Sequence, residues 1–163
     1  MTTHRDQPVI DLHGIFQQNE ESEWIDLIHT PGERYRIRVK GEETNGTYSL
    51  IEVIMDPKNE PPYGPMLHIH QRTDEIFRIL EGKARFHVNG AEFNAEVGDI
   101  VNIPKGTPHA FANFGASRLH VQIMFTPGGE EAFWQSINGL PLDQMEEICK
   151  TFHVLIVGPP LHK

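Results

Sequence analysis

From Tyr35 onward the chain consists of short runs in which apolar and polar side chains alternate, separated by turn residues. This period-2 pattern belongs to half-buried strands of an all-β sandwich or barrel. In the first run Tyr35, Ile37 and Val39 alternate with Arg34, Arg36, Arg38 and Lys40. That strand has one apolar face and one basic face, and the basic one is expected to be solvated, to meet another subunit or to bind an anion. Further strands are predicted over residues 47–55, 66–70, 75–80, 83–89, 92–97, 99–103, 109–113 and 118–125. The breaks between them carry turn chemistry: Asn45-Gly46, the proline-rich stretch 57–65, Glu81-Gly82, Asn89-Gly90, Gly98, residues 104–108 and Gly115.

After Pro127-Gly128-Gly129 the period changes. Glu130 and Glu131 suit the positive end of a helix whose apolar residues are Phe133, Trp134 and Ile137. A second helix is predicted from Pro141, with Leu142, Met145, Ile148, Cys149 and Phe152 on one side, and the tail 154–161 is extended. Residues 1–30 are weakly patterned, with apolar patches at Val9, Ile10 and Leu12 and at Trp24, Ile25, Leu27 and Ile28. The predicted organisation is an N-terminal arm (1–30), a β-barrel domain (31–128) and C-terminal helices and tail packed on the barrel (129–163).

Composition narrows the chemistry. The 163 residues carry 14 basic and 23 acidic side chains, a formal charge of -9, which disfavours phosphate backbones and anionic membrane surfaces. Neither a nucleic-acid partner nor a membrane is expected, and the apolar runs are too short to span a bilayer. The N-terminus lacks the apolar core of a signal peptide, so a cytoplasmic location is expected. Ten histidines stand against a single cysteine, Cys149, which cannot form an internal disulfide or a thiolate zinc site. Imidazole with carboxylate is the remaining means of holding a transition metal.

His68-Ile69-His70 lies in a predicted strand, which puts both imidazoles on one face with Cα atoms roughly 6.5–7 Å apart. At that spacing two ring nitrogens can converge on one ion at about 2.0–2.2 Å. The polar stretch 71–74 can reverse direction and return the Glu75 carboxylate to the same place. His109 opens a later strand, just after Pro104-Lys105-Gly106-Thr107-Pro108. There Pro104 and Gly106 fit the second and fourth positions of a type I turn that would aim His109.

These residues carry a resemblance to the cupins. The first cupin motif, His-x-His-x4-Glu-x6-Gly, is met by His68, His70, Glu75 and Gly82, and the second, Gly-x5-Pro-x-Gly-x2-His-x3-Asn, by Gly98, Pro104, Gly106, His109 and Asn113. Gly64 lies closer to His68 than the family's usual glycine does. The Phe-Thr-Pro-Gly-Gly stretch at 125–129 and Gly-Pro-Pro-Leu at 158–161 resemble small bacterial quercetin-dioxygenase-like cupins. The resemblance implies a cupin jelly-roll β-barrel, with two sheets face to face and a metal inside one end. Carried over residue by residue, the implied ligands are His68, His70, Glu75 and His109, holding one divalent Fe, Mn, Ni, Co, Cu or Zn ion. It also implies a homodimer.

The activity this suggests is oxidation of a small organic, aromatic or enolisable substrate by dioxygen, with Glu75 as catalytic base as well as ligand. The alternatives are a metal-assisted lyase, isomerase or cyclase, and a non-catalytic small-molecule-binding cupin. Strand parity adds substrate-binding candidates. If Glu75 points inward, so do Phe77 and Ile79, and after His109 the same holds for Phe111 and Asn113. On the last strand His120 and Gln122 either line the cavity or face solvent, while His87, Tyr48 and Glu52 are weaker candidates expected on an exposed face. His4, His13, His29, His153 and His162 are expected at the surface.

Overall fold

The computed structural model describes Asn19 and residues 21–163; the apolar patch at Val9, Ile10 and Leu12, together with His4 and His13, lies outside the described residues. The alternating runs form ten strands in succession. They are β1 (Ile25–Asp26), β2 (Glu33–Val39), β3 (Ser49–Met55), β4 (Met66–His70), β5 (Asp74–Glu81), β6 (Lys83–Val88), β7 (Ala91–Glu96), β8 (Ile100–Ile103), β9 (His109–Ala112) and β10 (Leu119–Thr126). Helix α1 (Glu131–Ile137), a 3-10 turn over Leu142–Gln144 and helix α2 (Met145–Thr151) follow, and the chain closes with β11 (Val154–Pro160).

Two antiparallel sheets result, one in the order β1-β2-β3-β10-β5-β8 and the other β11-β4-β9-β6-β7. The chain is a jelly roll with a small helical appendage. The extended tail is more than an appendage, because β11 pairs along β4, with Val154 opposite His70 and Ile156 opposite His68. Within the arm, β1 pairs with the start of β2.

The core lies between the sheets and follows from alternation. On β10, Leu119, Val121, Ile123 and Phe125 are fully buried, and they meet Ile51 and Val53 from β3 and Phe77 and Ile79 from β5. A ring cluster of Phe77, Phe86 and Phe111 fills the middle, with centroids 5.1–5.9 Å apart, separations at which edge-to-face and offset pairs are favourable. Trp134 of α1 packs 5.5 Å from buried Tyr35, pinning the appendage to the six-stranded sheet. Cys149 is a buried free thiol in α2.

The approach to α1 is fixed by a backbone crossing. A Cβ on Gly128 would sit 2.5 Å from the Tyr48 carbonyl oxygen, and one on Gly41 would sit 2.6 Å from the Gly129 nitrogen, so glycine on both sides permits the contact. The Gly128 amide donates to Gly46 O (2.9 Å), and the buried Glu131 carboxylate accepts from the Gly41 amide (2.7 Å).

The basic face of β2 is answered from within the chain. Arg36 donates to Glu52 at 2.7 and 3.1 Å, Arg38 approaches the other Glu52 oxygen at 3.5 Å, and Arg34 pairs with Asp56. Arg36 and Glu52 are both buried, with Trp24 lying against the Arg36 guanidinium at 4.5 Å. The sequence reading placed Glu52 on an exposed face; the arm covers it instead, because a buried charge pair needs cover and partners together.

Candidate metal centre

Four side chains meet inside one end of the barrel. His68 and His70 project from β4 and His109 from β9, where His68 and His109 are direct cross-strand partners. Glu75 comes from β5 of the opposite sheet. One ligand atom from each of His68, His70, Glu75 and His109 lies within 4.8 Å of the others, so the implied ligand set is brought together. His70, Glu75 and His109 are buried and His68 is half-buried.

The turn that aims His109 differs in type from the expectation. The Thr107 amide donates to Pro104 O (3.2 Å), which makes Pro104 the first and Gly106 the third position. Gly106 has φ +82°, the requirement at that position of a type II turn rather than type I. Its amide donates to His70 O (2.8 Å), so the turn is fastened to the strand carrying the other histidines. Asn113 of the second motif serves the backbone: its amide group donates to Met55 O and Ser117 O and accepts from Gly115 N.

The polarity of the rings decides what the cluster can hold. His68 Nδ1 lies 2.7 Å from Met66 O, and His109 Nδ1 lies 2.9 Å from Thr107 O. A carbonyl only accepts, so each Nδ1 carries a proton and each Nε2 of the neutral ring presents a lone pair. His70 Nδ1 lies 2.9 Å from Glu130 Oε1, and its Nε2 lies 3.5 Å from Glu75 Oε2. His109 Nε2 is in direct contact with the same Glu75 oxygen, yet neither atom makes a regular hydrogen bond. Nitrogen lone pairs aimed at a carboxylate oxygen repel it unless a proton or a cation lies among them. The donor set therefore fits a divalent transition metal, which would be held by His68, His70, Glu75 and His109.

Titration behaviour agrees with that fit. Burial, reinforced by the positive potential of His109 and His70, holds His68 down at about 3, so it is neutral near pH 7. Burial alone would raise Glu75, but the histidines around it outweigh this and hold it at about 2, as an anion. His70 is also opposed by burial, yet Glu75 and Glu130 raise it above the ordinary imidazole range.

The structure does not gather the remaining candidates around this cluster. Phe77, Ile79 and Phe111 point inward but are consumed in the core. His120 and Gln122 lie on the outer face of the six-stranded sheet, because the apolar set of β10 takes the interior. There His120 Nε2 lies 2.9 Å from Glu52 Oε2 and its ring packs against Trp24. His87 faces Glu92 across the β6–β7 pair, Tyr48 is exposed, and the His29 ring is bonded to Leu140 O.

Two nearby residues escaped the sequence reading. Glu130 stands at the helix start as its sequence context predicts, but its side chain is buried and reaches His70. Phe133 fits the apolar pattern of the helix, yet its half-buried ring stands 6.4 Å from His70, which fully buried Phe125 approaches at 6.2 Å. Both lie just past the Gly-Gly break, where no local pattern signals that the chain returns to the barrel end.

Comparison with known proteins agrees with this architecture. A family model described as a cupin domain matches residues 52–126. Quercetin 2,3-dioxygenase of Bacillus subtilis is 32% identical over 119 residues, covering 71% of this chain, while the chain spans only 34% of that enzyme. Among solved structures, KdgF from Halomonas sp. superposes with a TM-score of 0.62 at 23% identity, covering 73% of this chain and 98% of that one. An RmlC-like cupin from Shewanella frigidimarina superposes at 0.57 with 18% identity, covering 72% and 94%; likenesses this remote speak for the fold alone. Among the described residues no helix is long and apolar enough to cross a membrane. With both motifs in the sequence, their four ligand side chains gathered at one barrel end and a jelly roll around them, the chain belongs to the cupin superfamily.

Proposed function

We propose that this cupin is a mononuclear metal-dependent enzyme that oxidises a small organic substrate, aromatic or enolisable, with dioxygen. The observation that carries the reading is the convergence of imidazole nitrogens and one carboxylate in a buried place where, among the described residues, no Lys or Arg pairs with them. The similarity to a quercetin 2,3-dioxygenase supports the oxidative class.

A divalent ion held there supplies a Lewis acid for a substrate oxygen and, if redox-active, a route for electrons to dioxygen. The chain supplies the rest. Backbone carbonyls fix the tautomers of His68 and His109, so both present Nε2 inward without rearrangement. Glu75 provides the single negative charge among the four ligands, so that the ion and these ligands together carry about +1, which favours an anionic substrate oxygen, while Glu130 lies one step farther out, behind His70. Because its neighbours hold it at about 2, Glu75 acts first as the anion of the site and is a weak resting place for a proton taken from a substrate hydroxyl. The half-buried ring of Phe133, its centroid 6.4 Å from that of His70, is the surface offered to an aromatic substrate. His120 and Gln122, on the other side of the sheet, have no part in it. The same reading takes the chain as a homodimer, to be tested by its solution mass.

The test is turnover of flavonoids, catechols and diketones by metal-reconstituted protein, with and without oxygen. Oxygen uptake matching substrate loss is expected. Equal turnover without oxygen would contradict the oxidative reading and point to lyase, isomerase or cyclase chemistry; tight binding without turnover would leave a binding protein.

A further inference from the structure

Glu130 stands outside both motifs and outside the matched domain region, at the entry to α1. Its carboxylate is nonetheless buried at the centre. Oε1 lies 2.9 Å from His70 Nδ1, within ion-pair distance though not in regular hydrogen-bond geometry, and among the described residues neither atom makes a hydrogen bond to another group. The second oxygen, Oε2, accepts from the hydroxyl of Thr73 (3.2 Å), itself buried in the link between β4 and β5. A separation of 2.9 Å is that of a charge-assisted pair. The other two histidines rest Nδ1 on neutral carbonyls two residues earlier in the chain; of the three, His70 alone rests on a charged group delivered from sequence far away.

We propose that Glu130 is the positioning residue of the metal centre, presenting His70 Nε2 to the ion from the C-terminal appendage, with Thr73 holding the carboxylate in place. The inference rests on the metal-centre reading of His68, His70, Glu75 and His109. A carboxylate on the far nitrogen of a ligand histidine fixes its tautomer and ring plane and raises its basicity, and removing such a partner typically costs about 10–100-fold in metal affinity. Delivery depends on the glycine crossing: Gly41 against Gly129 and Gly128 against Tyr48 set where the chain leaves β10, and Glu131 locks that path to the Gly41 amide while Glu130 turns inward. The appendage therefore contributes to the ligand field, in addition to covering the barrel end.

The test is cobalt(II) and zinc(II) affinity of the full chain, measured by chelator competition, with the cobalt visible spectrum recorded alongside. Glu130→Ala is expected to weaken binding about 10–100-fold and to alter the cobalt bands. Glu130→Gln, which keeps an acceptor for His70 but loses the charge, should fall between Ala and wild type. Thr73→Val should have a smaller effect of the same sign. Ring nitrogen NMR of the metal-free protein should show the His70 Nδ1 proton resonance shift in Glu130→Ala while those of His68 and His109 stay in place. A Glu130→Ala chain that unfolds like wild type, binds both ions with wild-type affinity and gives the wild-type cobalt spectrum would overturn the proposal alone. Failure of wild type to bind either ion would overturn the metal-centre reading beneath it. Should Glu130→Ala not fold, Glu130→Gln and Thr73→Val carry the same comparison.

Discussion

The six-stranded sheet buries a glutamate with histidine on each of its faces, and the two clusters are balanced differently. On the outer face Glu52 is met by Arg36 at 2.7 Å, by Arg38 at 3.5 Å and by His120 at 2.9 Å. Guanidinium is cationic at every accessible pH, so that cluster is complete in itself, and Trp24 closes it. On the inner face the charge partners of Glu75 among the described residues are histidines, and His68 and His109 turn lone pairs toward it. That cluster is complete only with a proton or a metal ion. A buried carboxylate among histidines is therefore not by itself a sign of a site; what distinguishes the inner one is that the described residues supply it no fixed positive charge.

The largest effect expected of breaking this contrast is at Glu75. Glu75→Gln removes the only anion among the four ligands and should lower zinc affinity more than about 100-fold, beyond the usual effect of losing an outer partner. Chelator competition checks this, and near-wild-type affinity would contradict the contrast. At Glu52 the effect should fall on stability. Glu52→Ala leaves Arg36 buried without its partner and should lower unfolding stability by about 3–5 kcal/mol in urea, with zinc affinity unchanged.

The pH dependence of that loss follows from the Glu52 titration. Burial raises its pKa, but His120 and Arg36 outweigh burial and bring it below its ordinary value of 4.5. A group lowered on folding contributes stability that is present above its unfolded value and lost as pH falls through the folded one. Part of the deficit of Glu52→Ala relative to wild type should therefore shrink below about pH 4.5, as measured by unfolding across an acid series; a pH-independent deficit would argue against the ion pair. The smallest effect is expected for His120→Ala, about 1 kcal/mol of stability, with no change in metal affinity or in KM for any accepted substrate. A raised KM would return His120 to the substrate site.

Much of this was legible in the sequence because alternation and turn chemistry are local. The strand pattern points to an all-β sandwich or barrel and the cupin resemblance to its jelly-roll form, and the His-x-His spacing with Glu75 and His109 marks the residues that the barrel brings together. Parity alone could not orient β10, where both alternating sets are plausible interiors; Leu119, Val121, Ile123 and Phe125 take the core because their burial outweighs that of His120 and Gln122. The residues before His109 predict a turn, but one residue out of register: the Thr107–Pro104 hydrogen bond sets the register and the positive φ of Gly106 the type. Glu130 was illegible for a different reason. As an acidic residue at a helix start it already had a sufficient local explanation, while its actual partner is His70, reached through a crossing of glycines on distant segments. Fulfilled local rules conceal long-range roles.

The central claim is that the inner cluster lacks one cation and takes one metal ion. Titration of cobalt(II) into metal-stripped protein, read by its visible spectrum and by bound metal per chain, tests it most directly. One tightly bound ion per wild-type chain is expected, and none in His109→Ala. Failure of wild type to bind, or binding of the same ion with the same spectrum by His109→Ala, would contradict it.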